Sequence, residues 1–169
     1  MNLIGKKLHS LLNRPSKRKS KPNTVSFESA KLVGVLFTYS DLRSFNEIEL
    51  FINTLKQLKE VKVLCFNTLK DSINVNYSTV NMSELSNLGK LNSPAANDFI
   101  NAPLDFLFHI DFELNEITQS ILAKSKAKCR LGVYSDGGRN YYELMIGINK
   151  SAGITNFGEQ LLKYAKGVK

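Results

Sequence analysis

Residues 31–39 (KLVGVLFTY) form an unbroken apolar run with no helical periodicity and no polar alternation. A strand reads this way only when both of its faces are covered, which is the condition of a parallel sheet sandwiched between helices. The next thirty residues fit that condition. Residues 40–43 make a turn, and Ser44 with Glu47 three positions on has the spacing of a capping box. Ile48, Phe51, Ile52, Leu55 and Leu58 then recur at helical spacing up to about residue 60, and 61–66 (VKVLCF) is a second apolar run. Strand, helix and strand in this order form a βαβ unit, whose strands pair in parallel.

The same alternation continues. Residues 105–110 (DFLFHI) read as a third strand and 113–125 as a helix burying Leu114, Ile117, Ile121 and Leu122. Residues 129–134 (CRLGVY) read as a fourth strand. Asp136-Gly137-Gly138 is a turn signal, so 141–148 is expected to return as a fifth strand in an antiparallel hairpin. A helix over 156–166 closes the chain. Ser93-Pro94 suits a helix start, with the serine as cap and the proline in the first turn. The stretch 71–92 is rich in Asn and Ser and carries little periodicity, with a short helix expected near 83–88. The predicted fold is α/β: a three-layer, mostly parallel five-stranded sheet with one antiparallel edge strand and Rossmann-like topology.

Charge divides the chain at about residue 24. Of the 23 Lys and Arg, seven lie in residues 1–24 (Lys6, Lys7, Arg14, Lys17, Arg18, Lys19 and Lys21), with no Asp or Glu beside them. The other 16 face all 15 acidic residues, so +7 of the formal +8 belongs to the tail. The expected organisation is a basic helix and linker over 1–24 and one α/β domain over 25–169. Ile4, Leu8, Leu11 and Leu12 place an apolar stripe on a helix over 1–12, and Pro15 and Pro22 bracket a basic linker. Leu3-Ile4-Gly5 is too short for a signal-peptide core, and no apolar run is long enough to span a bilayer. Cys65 and Cys129 sit in separate apolar runs and read as buried thiols of a reducing compartment. The expected location is the cytoplasm, with attachment at the periphery of the inner membrane as the variant the stripe allows.

Certain chemistries lack their residues. The turn after the first strand, SDLRS at 40–44, has no glycine, so neither a dinucleotide fingerprint nor a P-loop is present. GxSxG, CxxC and HExxH are absent as well, and no metal or cofactor is expected. Two sets of residues remain. At the carboxyl ends of the strands, where open α/β sheets bind ligands, lie Ser40, Asp41, Asn67, His109 and Asp111. Two carboxylates and an imidazole in one crevice are suited to proton transfer. Each also has a local role, in a turn, in a hydrogen bond of the core or, for Asp111, as the cap of the next helix. The second set is Lys124, Lys126, Lys128 and Arg130, the one dense basic cluster of the domain, either a phosphate-contacting patch or a helix end whose cations complement its dipole.

The segment 121–132 (ILAKSKAKCRLG), with 103–107 (PLDFL), 142–146 (YELMI) and the opening 30–37 (AKLVGVLF), resembles an uncharacterised family of Bacteroidota-type bacterial proteins, a domain of unknown function. The resemblance runs from about residue 27 to 164. It implies a small cytoplasmic α/β protein and supplies no activity. The strand–helix–SKAKCRLG arrangement is also similar to the N-terminal half of heptosyltransferase-like glycosyltransferases, whose second, nucleotide-sugar-binding half this sequence lacks.

Three functions are expected. The leading one is a non-enzymatic binding protein whose basic tail contacts a polyanion, with RNA or the ribosome as partner. An amphipathic helix beside basic residues equally suits a peripheral protein on an anionic membrane surface. The third is a small-ligand-binding or degenerate glycosyltransferase-like module. It requires Asp41, His109 and Asp111 to converge.

Overall fold

The computed structural model describes residues 25–69, 71, 73–86 and 90–168. The expected tail helix and linker, with their seven cations, lie outside these residues. Six strands form one sheet: β1 (Leu32–Tyr39), β2 (Glu60–Asn67), β3 (Ser78–Asn81), β4 (Phe106–His109), β5 (Cys129–Val133) and β6 (Leu144–Ile146). Their order is β3-β2-β1-β4-β5-β6, and every neighbouring pair is parallel. Among the described residues four helices cover it: α1 (Leu42–Lys56), α2 (Pro94–Asn101), α3 (Glu116–Lys124) and α4 (Gly153–Lys166).

The apolar runs are explained by a core on each face. Alternate residues Val33, Val35 and Phe37 of β1, with Phe106 and Phe108 of β4, meet Ile52 and Leu55 of α1 and Phe157 and Leu161 of α4. On the opposite face Leu36, Leu64 and Leu107 meet Phe99 of α2 and Ile121 of α3. Each fully buried Leu, Ile or Phe stabilises the fold by roughly 1.5–3 kcal/mol relative to exposure. Such burial on both faces is what leaves no polar position in β1 between Val33 and Phe37.

The helix caps are partly as expected. Ser93 Oγ accepts from the amide of Ala96, and Pro94 opens α2. Helix α1 begins earlier than the Ser44 capping box implies. Asp41 is its cap, accepting from the Ser44 amide at 2.8 Å, because its carboxylate takes the Ser44 hydroxyl as well. Asn115, rather than Asp111, caps α3, accepting from the amides of Ile117 and Thr118.

Two expectations about the sheet are corrected. The sheet has six strands, since β3 is a short edge strand in which only Val80 is buried, too little to write an apolar run. A 3-10 turn over Met82–Glu84 and a bridge from Leu85 to Leu91 stand where the short helix near 83–88 was expected; residues 87 and 88 lie outside the described set. The last strand, moreover, is parallel to its neighbour and not the return of an antiparallel hairpin. After Val133 the chain makes a 3-10 turn over Gly137–Asn140 and runs back along β5. The Glu143 amide then donates to the Arg130 carbonyl at 2.9 Å, and the Tyr134 amide donates to the Ile146 carbonyl at 2.8 Å. Residues 134–143 are thus a helix-poor parallel crossover. Tyr142 lies across Gly132 so closely that a Cβ there would collide with the ring, which only glycine permits.

Candidate functional site

Strand order turns at the β1/β4 boundary: from β1 the chain builds outward through β2 and β3, then returns to place β4, β5 and β6 on the other side. A crevice opens beyond the carboxyl ends of strands at such a switch point. Here it is a cavity of about 760 Å³. Its walls come from the β1–α1 turn (Ser40, Asp41) and the first turn of α1 (Ser44), the β4–α3 loop (Asp111, Glu113, Asn115), Thr68 after β2, Lys150 before α4 and Gly153 at its first position. Gly153 has φ of +81°, a left-handed turn that favours glycine at the entry to α4.

Asp111 organises the floor. Its Oδ1 accepts from the Thr38 amide at 2.9 Å, and its Oδ2 accepts from the Thr38 hydroxyl at 2.6 Å. Asn115 Nδ2 donates to the same hydroxyl oxygen at 3.0 Å, so one threonine joins β1 to the start of α3. Asp111 Oδ2 also faces His109 Nε2 at 3.0 Å. His109 is fully buried, and its Nδ1 lies 2.6 Å from the Tyr142 hydroxyl. A carboxylate can only accept, so Nε2 carries the hydrogen; in the neutral ring Nδ1 then accepts from Tyr142. Burial, reinforced by the Asp111 charge, pushes the Tyr142 phenol upward, which keeps it a donor. The result is a closed chain from the cavity through the sheet to the β5–β6 crossover.

The rim is charged. The amide of Ser44 and the hydroxyls of Ser44 and Ser40 donate to Asp41 and hold its carboxyl below the usual range. Glu113 is lowered by its contact with Lys150. Glu47 reaches from α1 to the first turn of α4, where its Oε2 accepts from the Thr155 amide at 3.2 Å.

Of the crevice residues expected from sequence, Ser40, Asp41 and Asp111 line this one cavity. His109 sits beneath it, behind Asp111. Asn67 belongs elsewhere: it is buried, and its side chain bonds Asn81, the Asp71 carbonyl and the Leu69 amide, which ties the end of β2 to β3. Thr38, Asn115 and Tyr142 escaped sequence reasoning, because a threonine in a strand, an asparagine before a helix and a tyrosine in an edge segment carry no local signal of a shared network.

The basic cluster divides. Lys124 and Lys126 are exposed at the end of α3. Lys128 meets Asp105 at 2.7 Å. Arg130 is turned inward, contrary to its place in a surface patch: it forks onto both oxygens of Glu143, at 2.6 and 3.0 Å, and donates to the Leu122 carbonyl. Strand pleating decides this, for Arg130 is part of a strand buried on both faces.

Fold and cavity together define a Rossmann-like α/β protein with an open crevice at the switch point of its sheet. The chain belongs to a family of unknown function (DUF6913), whose model matches residues 2–167. No curated protein matches it. Among solved structures it is similar to a glycosyl transferase of family 9 from Veillonella parvula DSM 2008, at 12% identity and a TM-score of 0.52. The match covers 87% of this chain and 44% of that one, so the chain spans less than half of the transferase's length. At that identity the likeness is one of fold. Among the described residues no helix is long and apolar enough to cross a membrane.

Proposed function

We propose that the protein is a non-enzymatic binding protein that contacts a polyanion, RNA in particular, through its basic tail. The observation that carries this is the division of charge: seven cations and no carboxylate in residues 1–24, against 16 cations and 15 carboxylates in the rest. Carboxylate partners for Lys62, Lys128, Arg130 and Lys150 support it, because they neutralise the domain from within and leave the net positive field to the tail. The family model begins at residue 2, so the tail is part of the matched sequence.

Binding of this kind weakens steeply with salt, in proportion to the phosphates neutralised. The test is a salt titration of the full chain on a mixed-sequence single-stranded RNA, beside a full-length variant with Lys17, Arg18, Lys19 and Lys21 replaced by Gln. The variant should bind more weakly and with a shallower salt slope. Equal affinity and slope would refute the proposal. The apolar stripe of Ile4, Leu8, Leu11 and Leu12 favours a second reading, an interfacial helix on anionic lipid in the cytoplasm. Co-sedimentation with vesicles containing phosphatidylglycerol, in the absence of RNA, separates the two.

A further inference from the structure

The cavity at the β1/β4 switch point has an unusual balance of donors and acceptors. Four hydroxyls border it, and each already donates its hydrogen to the protein: Thr38 to Asp111, Ser40 and Ser44 to Asp41, and Thr68 to the Tyr39 carbonyl. A hydroxyl so engaged presents only lone pairs to a guest. The two carboxylates that receive these hydrogens are acceptors as well. Asn115 uses one amide hydrogen on Thr38 and keeps one. Of the two cations on the rim, Lys150 is paired with Glu113, and Arg43, its side chain 93% exposed, lies 3.9 Å from Glu47. Ile48, Ile110, Phe112 and Ile154 supply the apolar part of the lining. A guest must therefore bring the hydrogens, favour negative surroundings and offer an apolar body. A guest made of acceptors, such as a carboxylate or phosphate, would meet lone pairs from most of the uncharged polar side chains and both carboxylates named here.

We infer that this cavity binds a small organic ammonium compound, with the alkyl body against Ile48, Ile110 and Ile154 and the ammonium hydrogens on Asp41, Asp111 and the bordering hydroxyl oxygens. A protonated amine supplies up to three donors, and its charge complements the carboxylates of the lining. The described lining includes no residue of the tail, and the proposed binding needs no polyanion.

The probe is 1,5-diaminopentane, titrated by calorimetry into full-length protein freed of nucleic acid, with glutarate as the five-carbon anionic counterpart. Amide shifts are followed by NMR in parallel. The expected result is saturable binding of the diamine with shifts at Thr38, Ser44 and Ile154, and none with glutarate. Asp41→Asn keeps the helix cap, since Asn serves there as well as Asp. It removes one charge and should weaken the diamine about tenfold. Thr68→Trp, placed on the exposed rim, should fill the cavity and abolish binding while the rest of the amide spectrum stays unchanged. Absence of saturable diamine binding, binding of glutarate with equal strength, or unaltered affinity in folded Asp41→Asn and Thr68→Trp proteins would each overturn the inference.

Discussion

His109 Nδ1 and the Tyr142 hydroxyl meet at 2.6 Å inside the protein, with their rings stacked at 24° and both residues closed off from solvent. Thirty-three positions separate them in sequence. The bond fastens the β5–β6 crossover to the centre of the sheet. Tyr142→Phe keeps the ring over Gly132 but leaves the Nδ1 lone pair buried and unmet. The expected cost is about 1–3 kcal/mol, the usual penalty for such an orphan. Urea unfolding of the variant beside the wild type measures it. A difference below about 0.5 kcal/mol, within the range of ordinary surface changes, would show that the bond does not hold the crossover.

Arg130 of β5 and Glu143, the residue before β6, are joined by charge. The guanidinium is 9% exposed and the carboxylate 20%, and the contact is forked. Removing one partner strands the other, so Glu143→Ala should destabilise by about 3 kcal/mol. Replacing both, as in Arg130→Met with Glu143→Leu, should cost much less than the sum of the single changes. A double-mutant cycle with additive losses would argue against the pair acting as a unit.

Acid should weaken the protein partly through Asp105. Burial pushes this carboxyl up, but the Lys128 ammonium and the amides of Lys31 and Leu32 pull harder, and the net shift is downward. A carboxyl depressed in the folded state stabilises above its unfolded pKa, near 3.9, and that contribution is lost as pH falls from there through the folded value. Wild-type stability should therefore drop between about pH 4 and lower values more steeply than that of Asp105→Asn. Parallel pH curves for the two proteins, followed by thermal unfolding, would contradict this.

Cys65 should be silent. It is fully buried in β2, and burial followed by the Asp111 charge pushes its thiol up to about 12. The thiolate is the reactive form, so native protein at neutral pH should resist iodoacetamide at this position. Peptide mapping should find Cys65 labelled only at the rate of global unfolding. Rapid labelling in the native state would mean that β2 opens locally.

Burial writes itself into sequence, and that decides which elements are legible there. β1, β2, β4 and β5 are covered on both faces, and each appears as an apolar run. β3 buries one side chain of four and left no such mark. The parallel direction of β6 depends on the path of Tyr142 across Gly132, a contact that a local turn signal at Asp136-Gly137-Gly138 does not encode. Asp111 and Asn115 are both acceptable helix caps by residue type. Thr38, more than seventy positions upstream, takes Asp111 for another purpose and leaves the cap to Asn115. Likewise Arg130 is turned inward by a strand buried on both faces, whereas Lys124 and Lys126 lie at an exposed helix end.

The order of the sheet bears on how the protein comes into being. β1 is central, yet its neighbour β4 arrives only at Phe106–His109, and the amide of Lys31 waits for a carboxylate 74 positions further on. Contacts so distant are slow to form. At a synthesis rate of about 10 residues per second, the tail is made roughly eight seconds before His109. Throughout that interval the strand the tail leads into has no partner on one side.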